Sequence, residues 1–199
     1  MLKKLVMANR SYRRFYQDEK ISTDTLRELV ELARYSACGA NLQPLKFVLI
    51  NQPELSQKVF SRLGWAAALK NWPGPEQGER PAAYVVILRD HAIDRGFLKD
   101  DIVDHAIAAQ SMLLGAVEKG FGGCMIGMVN RKGLSKDLGL GEQHEILLVV
   151  ALGKPKETVQ VDDLEPGAST NYWRDEQMVH HVPKRTLDEL IVAEHGDEV

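Results

Sequence analysis

Helical and strand signals alternate along this 199-residue chain, predicting one mixed α-and-β domain with a polar C-terminal arm. Three observations carry that prediction. Three short, mainly apolar runs, at 46–51, 84–88 and 146–152, have the length and composition of buried strands. Between them, apolar residues recur at helical spacing. From Gly153 onward the composition turns polar and Pro155, Pro166 and Pro183 interrupt it. A chain of this length fits one domain with an extension and can bury a sizeable core.

The elements follow in order. Leu2, Leu5 and Val6 fit a short first helix, and Ser22 can cap a second one in which Leu26, Leu29, Val30 and Ala33 share a face. Lys46 to Asn51 reads as a buried strand closed by Pro53. A third helical signal runs from Ser56 to Lys70, ended by Asn71-Trp72-Pro73-Gly74-Pro75. Tyr84 to Leu88 is a continuous apolar strand. Ile102 to Lys119 is the longest predicted helix, apolar nearly all round, with Gly120 as its stop; so little polar face places it centrally, against a sheet or a second subunit. Gly122 to Gly127 reads as a strand, Leu134 to Leu138 as a short helix and Ile146 to Leu152 as the last core strand. The arm, residues 154–199, is too short for a domain of its own and ends in a helix from Thr186.

Composition excludes several classes. A net charge of −3 gives no argument for nucleic acid or an anionic membrane. Cys38 and Cys124 stand far apart without a CxxC pattern, which excludes a disulfide framework or a zinc ribbon. The apolar run at the start is too short for a signal peptide, and no segment reaches membrane-spanning length, so the expectation is a cytoplasmic enzyme.

Two segments carry the chemistry. Residues 1–20 hold six basic side chains against Asp18 and Glu19, and within them Arg10-Ser11-Tyr12-Arg13 sets two guanidinium groups and a hydroxyl in four residues, a clamp for phosphate or another anion. The second segment, Ser36-Ala37-Cys38-Gly39-Ala40-Asn41-Leu42-Gln43-Pro44, joins a helix to a strand with small and amide-bearing residues. Together they suggest a site for a planar cofactor with a polar tail. Gly120-Phe121-Gly122-Gly123 is not a dinucleotide fingerprint, because Met125 takes the third glycine position and the order is helix to strand. His144, His180 and His181 lack a carboxylate pattern at ligand spacing and read as surface or supporting residues. Cys38 and Cys124 read as buried small hydrophobes.

Five blocks in order resemble the FMN-dependent nitroreductase family: Arg10-Ser11-Tyr12-Arg13-Arg14-Phe15, Ala33 through Pro44, Leu114 through Gly127, Leu152-Gly153-Lys154-Pro155, and Pro183-Lys184-Arg185-Thr186-Leu187-Asp188-Glu189. The resemblance implies an α+β flavoprotein fold, a mostly antiparallel sheet flanked by helices, and a homodimer with FMN in clefts between subunits. It assigns the FMN phosphate to Arg10 and Arg185 with Lys184, and adds a hydroxyl contact from Ser11. It sets Arg13 by the pyrimidine edge of the flavin, where a cation raises the reduction potential. Ala37, Cys38 and Gly39 would line one face of the ring, with Asn41 nearby, from the other subunit, and Met125, Ile126 and Gly127 would pass along the opposite face. The small residues at 37, 39 and 40, and the glycines at 122, 123 and 127, let backbone approach a flat ring; tight turns and close packing are the alternative reading of the glycines.

The resemblance further implies NADH or NADPH as electron donor and an electrophile such as a nitroaromatic or quinone as acceptor, in ping-pong order, with no catalytic triad. Departures from the family pattern stand at Asn9 for an arginine, Ala37 and Cys38 for proline and serine, and Leu45 for tryptophan. Residues 65–80 and 171–175 match no family block and are candidates for a substrate lid, with core packing of Trp65, Trp72 and Trp173 as the alternative. Two other functions compete: a specialised branch (flavin-destroying, dehalogenating or ferredoxin-linked) and a non-catalytic redox sensor using Cys38.

Overall fold

The structure is a computed structural model, and it describes residues 1–69, 72–94 and 103–196. The chain divides into two compact units, residues 1–65 with 73–156, and residues 66–72 with 157–199.

The first unit is built on a five-stranded antiparallel sheet. Its central strand is β5 (His144–Pro155), flanked on one side by β3 (Ala83–Asp90) and beyond it β2 (Leu45–Ile50). On its other side β5 pairs β4 (Gly122–Ile126) along Val149–Gly153 and then β1 (Phe15–Tyr16) at Lys154 and Pro155. The sequence ended this strand at Leu152, because Gly153 and Pro155 read as turn signals. Gly153 instead leaves room for the Phe15 ring, which lies 2.7 Å from where its Cβ would stand, and Pro155 sits at the strand end where a missing N–H is tolerated.

Helices α1 (Leu2–Ala8), α2 (Thr23–Arg34), α3 (Pro53–Ser61), α4 (His91–Asp94), α5 (Asp104–Glu118) and α6 (Arg131–Leu138) complete the unit. Ser22 Oγ accepts the Thr25 N–H and caps α2, as its position predicts. Leu26, Leu29 and Ala33 of α2 pack with Ala108, Ala109, Met112, Leu113 and Ala116 of α5. They rest on the alternating sheet residues Ala83, Val85, Ile87, Leu148, Val150 and Leu152, the period-two signature of one buried sheet face. Central burial of α5 is thus against the sheet.

Two predicted boundaries move. Pro53 does not merely close a strand; it stands at the first helical position of α3, where a missing N–H costs nothing, so the helix starts earlier than read and ends at Ser61. Lys70, Asn71 and Ile102, which the predicted elements included, lie outside the described residues.

The second unit holds a three-stranded sheet not foreseen for the arm. Strand β6 (Val159–Asp163) pairs in parallel with β8 (His180–Lys184), and β8 pairs antiparallel with β7 (Trp173–Arg174). Thr186 starts α7 (Leu187–Leu190) with a reciprocal capping box to Glu189. His180, read from the sequence as a surface or supporting residue, is fully buried. His181 stacks on the Trp173 ring at 4.1 Å, its Nδ1 lies 2.7 Å from Asp162 Oδ2 and its Nε2 lies 3.4 Å from Asp175 Oδ2. Bonding to Asp162, and more weakly to Asp175, outweighs partial burial and holds the imidazole pKa above its ordinary value. Among the described residues no helix is long and apolar enough to cross a membrane.

Candidate functional site

Residues 9–13 leave α1 and run beside the first half of β4. Asn9, nearly buried, donates its Nδ2 to Gln110 Oε1 on α5 at 3.3 Å, so the residue standing in place of an arginine ties α1 to the central helix. Ser11 bridges Gly123, and the Tyr12 N–H donates to Gly123 O at 3.0 Å. Arg10 donates Nη2 to Val6 O at 2.8 Å. Its Nε is buried and has no hydrogen-bond partner among the described residues. A buried guanidinium N–H left unmatched costs free energy and calls for an acceptor. Arg13 donates Nη1 to Ser11 O at 3.1 Å, holding the side chain along its own backbone, while Ser11 is itself exposed.

The glycines of β4 divide by role. A Cβ on Gly122 would lie 2.5 Å from the Tyr12 ring and 2.9 Å from Pro155, and one on Gly123 would strike the Ala151 carbonyl oxygen. These two positions serve packing of the strand against its neighbours, correcting the expectation that they clear a path for a flat ring. Gly127, just beyond the strand, is different: it is exposed and nothing lies within 4 Å of its Cβ position. Met125 is half-buried and Ile126 buried, as alternation along the strand requires.

The loop after α2 hangs on α5. Asp104, buried in the first turn of that helix, accepts the Gly39 N–H at 3.1 Å on Oδ1 and the Cys38 thiol at 3.1 Å on Oδ2. The Gln43 N–H donates to Cys38 Sγ at 3.1 Å. Cys38 is therefore a half-buried, hydrogen-bonded thiol and not the buried hydrophobe expected, whereas Cys124 is buried. Partial burial first, and the hydrogen bond to the Asp104 carboxylate second, push the Cys38 pKa up and keep the thiol protonated. Lower on α5, Ser111 Oγ lies 2.8 Å from Ser36 Oγ. Between these anchors Ala40, Asn41 and Gln43 all take positive φ, of 49°, 53° and 54°, a conformation that side chains with a Cβ adopt at a cost. Ala37, Gly39, Ala40 and Asn41 are all exposed along this loop.

Helix α5 is therefore the shared frame of the first unit's candidate residues: Gln110 holds Asn9, and Asp104 and Ser111 hold the loop at 36–43. Asp104 escaped the sequence reading; an acidic residue opening the longest helix was its available signal, though nothing local names its partners. Lys184 and Arg185 belong to the second unit. There Lys184 O accepts the Leu164 N–H at 2.8 Å, and Arg185 Nη1 reaches Glu189 Oε1 at 3.5 Å. Among the described residues, no cluster of three or more histidine, cysteine or acidic side chains is placed to hold a metal ion.

The sequence profile of the Nitroreductase family matches residues 6–154. The chain belongs to the nitroreductase family. A relative from Archaeoglobus fulgidus, named "Putative NADH dehydrogenase/NAD(P)H nitroreductase", is 25% identical over 158 residues, covering 77% of this chain and 85% of its own. Among solved structures, the nitroreductase family protein from Streptococcus pneumoniae TIGR4 superposes with a TM-score of 0.69 at 14% identity, covering 98% of this chain and all of that one. A structure from Exiguobacterium sibiricum 255-15, determined in complex with FMN, gives a TM-score of 0.63 at 18% identity over 79% of this chain and 89% of its own. At these identities the structures establish that the chain has the nitroreductase α+β fold. The family match runs from the last turn of α1 through nearly all of β5 and leaves the second unit's sheet outside it.

Proposed function

We propose that this nitroreductase-family chain is an FMN-dependent oxidoreductase that acts as a cytoplasmic homodimer and takes electrons from NADH or NADPH. The observation that carries the reading is the Arg10 guanidinium, whose buried Nε has no partner among the described residues and whose segment is pinned alongside β4, the strand that leads to the open edge at Gly127. An unmatched buried donor fits a phosphate oxygen, and an exposed glycine with clear space fits a flat ring.

In this reading Arg10 and the exposed Ser11 hydroxyl hold the phosphate, with Lys184 and Arg185 as further cations. Arg13 supplies positive charge to the ring edge that becomes electron-rich on reduction. Ala37, Cys38, Gly39 and Asn41 line the ring from the loop anchored on Asp104, and Met125, Ile126 and Gly127 line it from β4. Bound FMN would supply the two-electron carrier, reduced by the nicotinamide and reoxidised by a nitroaromatic or quinone in ping-pong order. The protein's task is then positioning and exclusion of water, which needs no nucleophile or dedicated base. Exposed apolar side chains on α1 (Leu2, Val6, Met7), and separately on α7 (Leu187, Leu190), support burial against a second copy. A sensor role through Cys38 finds no support in a thiol held protonated by burial and by Asp104.

The test is the visible spectrum of the purified protein, chromatography of ligand released on denaturation, and steady-state oxidation of NADH or NADPH with a quinone. Yellow protein releasing about one FMN per chain, with turnover, is the expected result. Arg10→Ala is expected to weaken FMN at least tenfold, the loss of a charged hydrogen bond. Colourless protein that takes up no added FMN ends the proposal.

A further inference from the structure

At the end of the sheet where β2 stops and β3 begins, a cavity of about 380 Å³ opens within the first unit. That volume lies at the lower end of ligand pockets. Its walls come from residues 17–20, the start of α3 and residues 77–84, none of them among the candidate flavin residues. Two polar groups in this wall are buried and lack protein partners among the described residues, and a phenol lies beside them. The Arg80 Nε is buried without a hydrogen bond among the described residues. The Ser56 hydroxyl is buried and unbonded; the Gln52 carbonyl, which a first-turn serine could have used, takes the Ser56 N–H instead. Tyr84, only 1% exposed, lines the same cavity.

The Arg80 fork is held ready. Its planar group lies 4.2 Å over the Phe60 ring. Its backbone is pinned by Gln17, whose Oε1 accepts the Gly78 N–H at 2.7 Å and the Arg80 N–H at 3.2 Å. Glu79, the adjacent carboxylate, is taken up by Arg14 and Lys156 and is not available to Arg80. Burial keeps the Tyr84 phenol protonated far above neutral pH, so it is a standing donor. Lys20 and Asp18 on the rim offset one another, which leaves the arginine as the net charge of the wall. The remaining surface includes the apolar Pro53, Phe60, Pro81 and Ala82.

We infer that this cavity is a second binding site, separate from the flavin site, for a small monocarboxylate with an apolar tail. The carboxylate is received by Arg80, Ser56 and Tyr84, and the tail lies on Phe60 and the prolines. Unsatisfied buried donors converging on one cavity, one net positive charge and an apolar floor match that ligand class and not a cation or a neutral amide. The inference stands whether or not the chain uses FMN.

Benzoate is the probe, titrated calorimetrically into the purified protein, with benzamide and benzylamine as neutral and cationic controls and the flavin spectrum followed in parallel. Benzoate is expected to bind, benzamide and benzylamine at least tenfold more weakly, with the flavin spectrum unchanged. Arg80→Gln is expected to weaken benzoate by about tenfold or more, and Ser56→Ala and Tyr84→Phe by roughly threefold to tenfold each. Ser56→Ala removes one hydroxyl and leaves the fold intact, so the proposal stays testable even if Arg80→Gln misfolds. Absence of benzoate binding at millimolar concentration, equal binding of benzamide, or binding that perturbs the flavin and survives Ser56→Ala and Arg80→Gln would each overturn it.

Discussion

Glu79 is the charge centre of the loop that presents Arg80, and replacing it with glutamine has a calculable cost. Its carboxylate receives Arg14 Nε and Nη2 at 2.5 and 2.6 Å and Lys156 Nζ at 2.9 Å, while its backbone carbonyl accepts the Phe15 N–H at 2.9 Å. The Arg14 fork, opposed by burial and assisted by Lys156, lowers the Glu79 pKa from 4.5 to about 2. At roughly 1.4 kcal/mol per pH unit this corresponds to about 3 kcal/mol of native-state stabilisation. Solvent at the Lys156 side screens part of it, leaving about 2 kcal/mol. Because the folded pKa is depressed, this stability is fully present above pH 4.5 and is lost as pH falls toward 2. Urea unfolding of wild type and Glu79→Gln at a series of pH values is the assay. With a slope of roughly 2–3 kcal/mol per molar urea, the variant's midpoint falls by about 0.7–1 M at pH 7, and the difference narrows below pH 4.5. A midpoint difference that is absent at pH 7, or that is the same at pH 7 and pH 3, refutes the reasoning.

Three further outcomes follow from the same geometry. His181, held between Asp162 and Asp175, has a raised pKa, so its contribution is complete below the ordinary histidine value and fades as pH rises through the raised one. Tryptophan fluorescence followed from pH 5 to pH 9 should report that loss in the wild type and a flat profile in His181→Phe, which keeps the stack on Trp173. Asp104→Ala removes both bonds to the 38–39 backbone and thiol, for about 2 kcal/mol, and should speed hydrogen exchange at Gly39 and Gln43 while leaving the amides of β3 protected. Gly123→Ala drives a methyl into the Ala151 carbonyl between two paired strands and should cost about 2–3 kcal/mol in thermal unfolding; Gly127→Ala, facing open space, should cost under about 0.5 kcal/mol.

Much of the first unit was legible because its elements advertise themselves locally. Ser22 and the Leu26–Leu29–Ala33 face define α2, and three apolar runs define β2, β3 and β5. The Arg10–Arg13 segment and the loop at 36–44 stood out for the same reason, since their residue types are unusual where they occur. The arm was less legible. Its strands β6, β7 and β8 are short and polar, and β6 and β8 pair across an intervening stretch that carries no periodic pattern. His180 reads as a surface or supporting residue from the sequence, and only the folded structure shows that it is fully buried.

The amino-acid sequence by itself determined most helices and strands of the first unit and which family the chain belongs to, because periodicity, caps and ordered motifs are properties of neighbouring residues. Tertiary structure alone decided that Asn9 binds Gln110, that Asp104 holds the Cys38 thiol, that Gly122 and Gly123 serve packing while Gly127 faces open space, and that Arg80, Ser56 and Tyr84 meet around one cavity. Apart from Arg80 and Tyr84, those partners lie tens of residues or more apart in the chain. Their pairing is set by the register of β5 and the placement of α5, which local pattern does not encode.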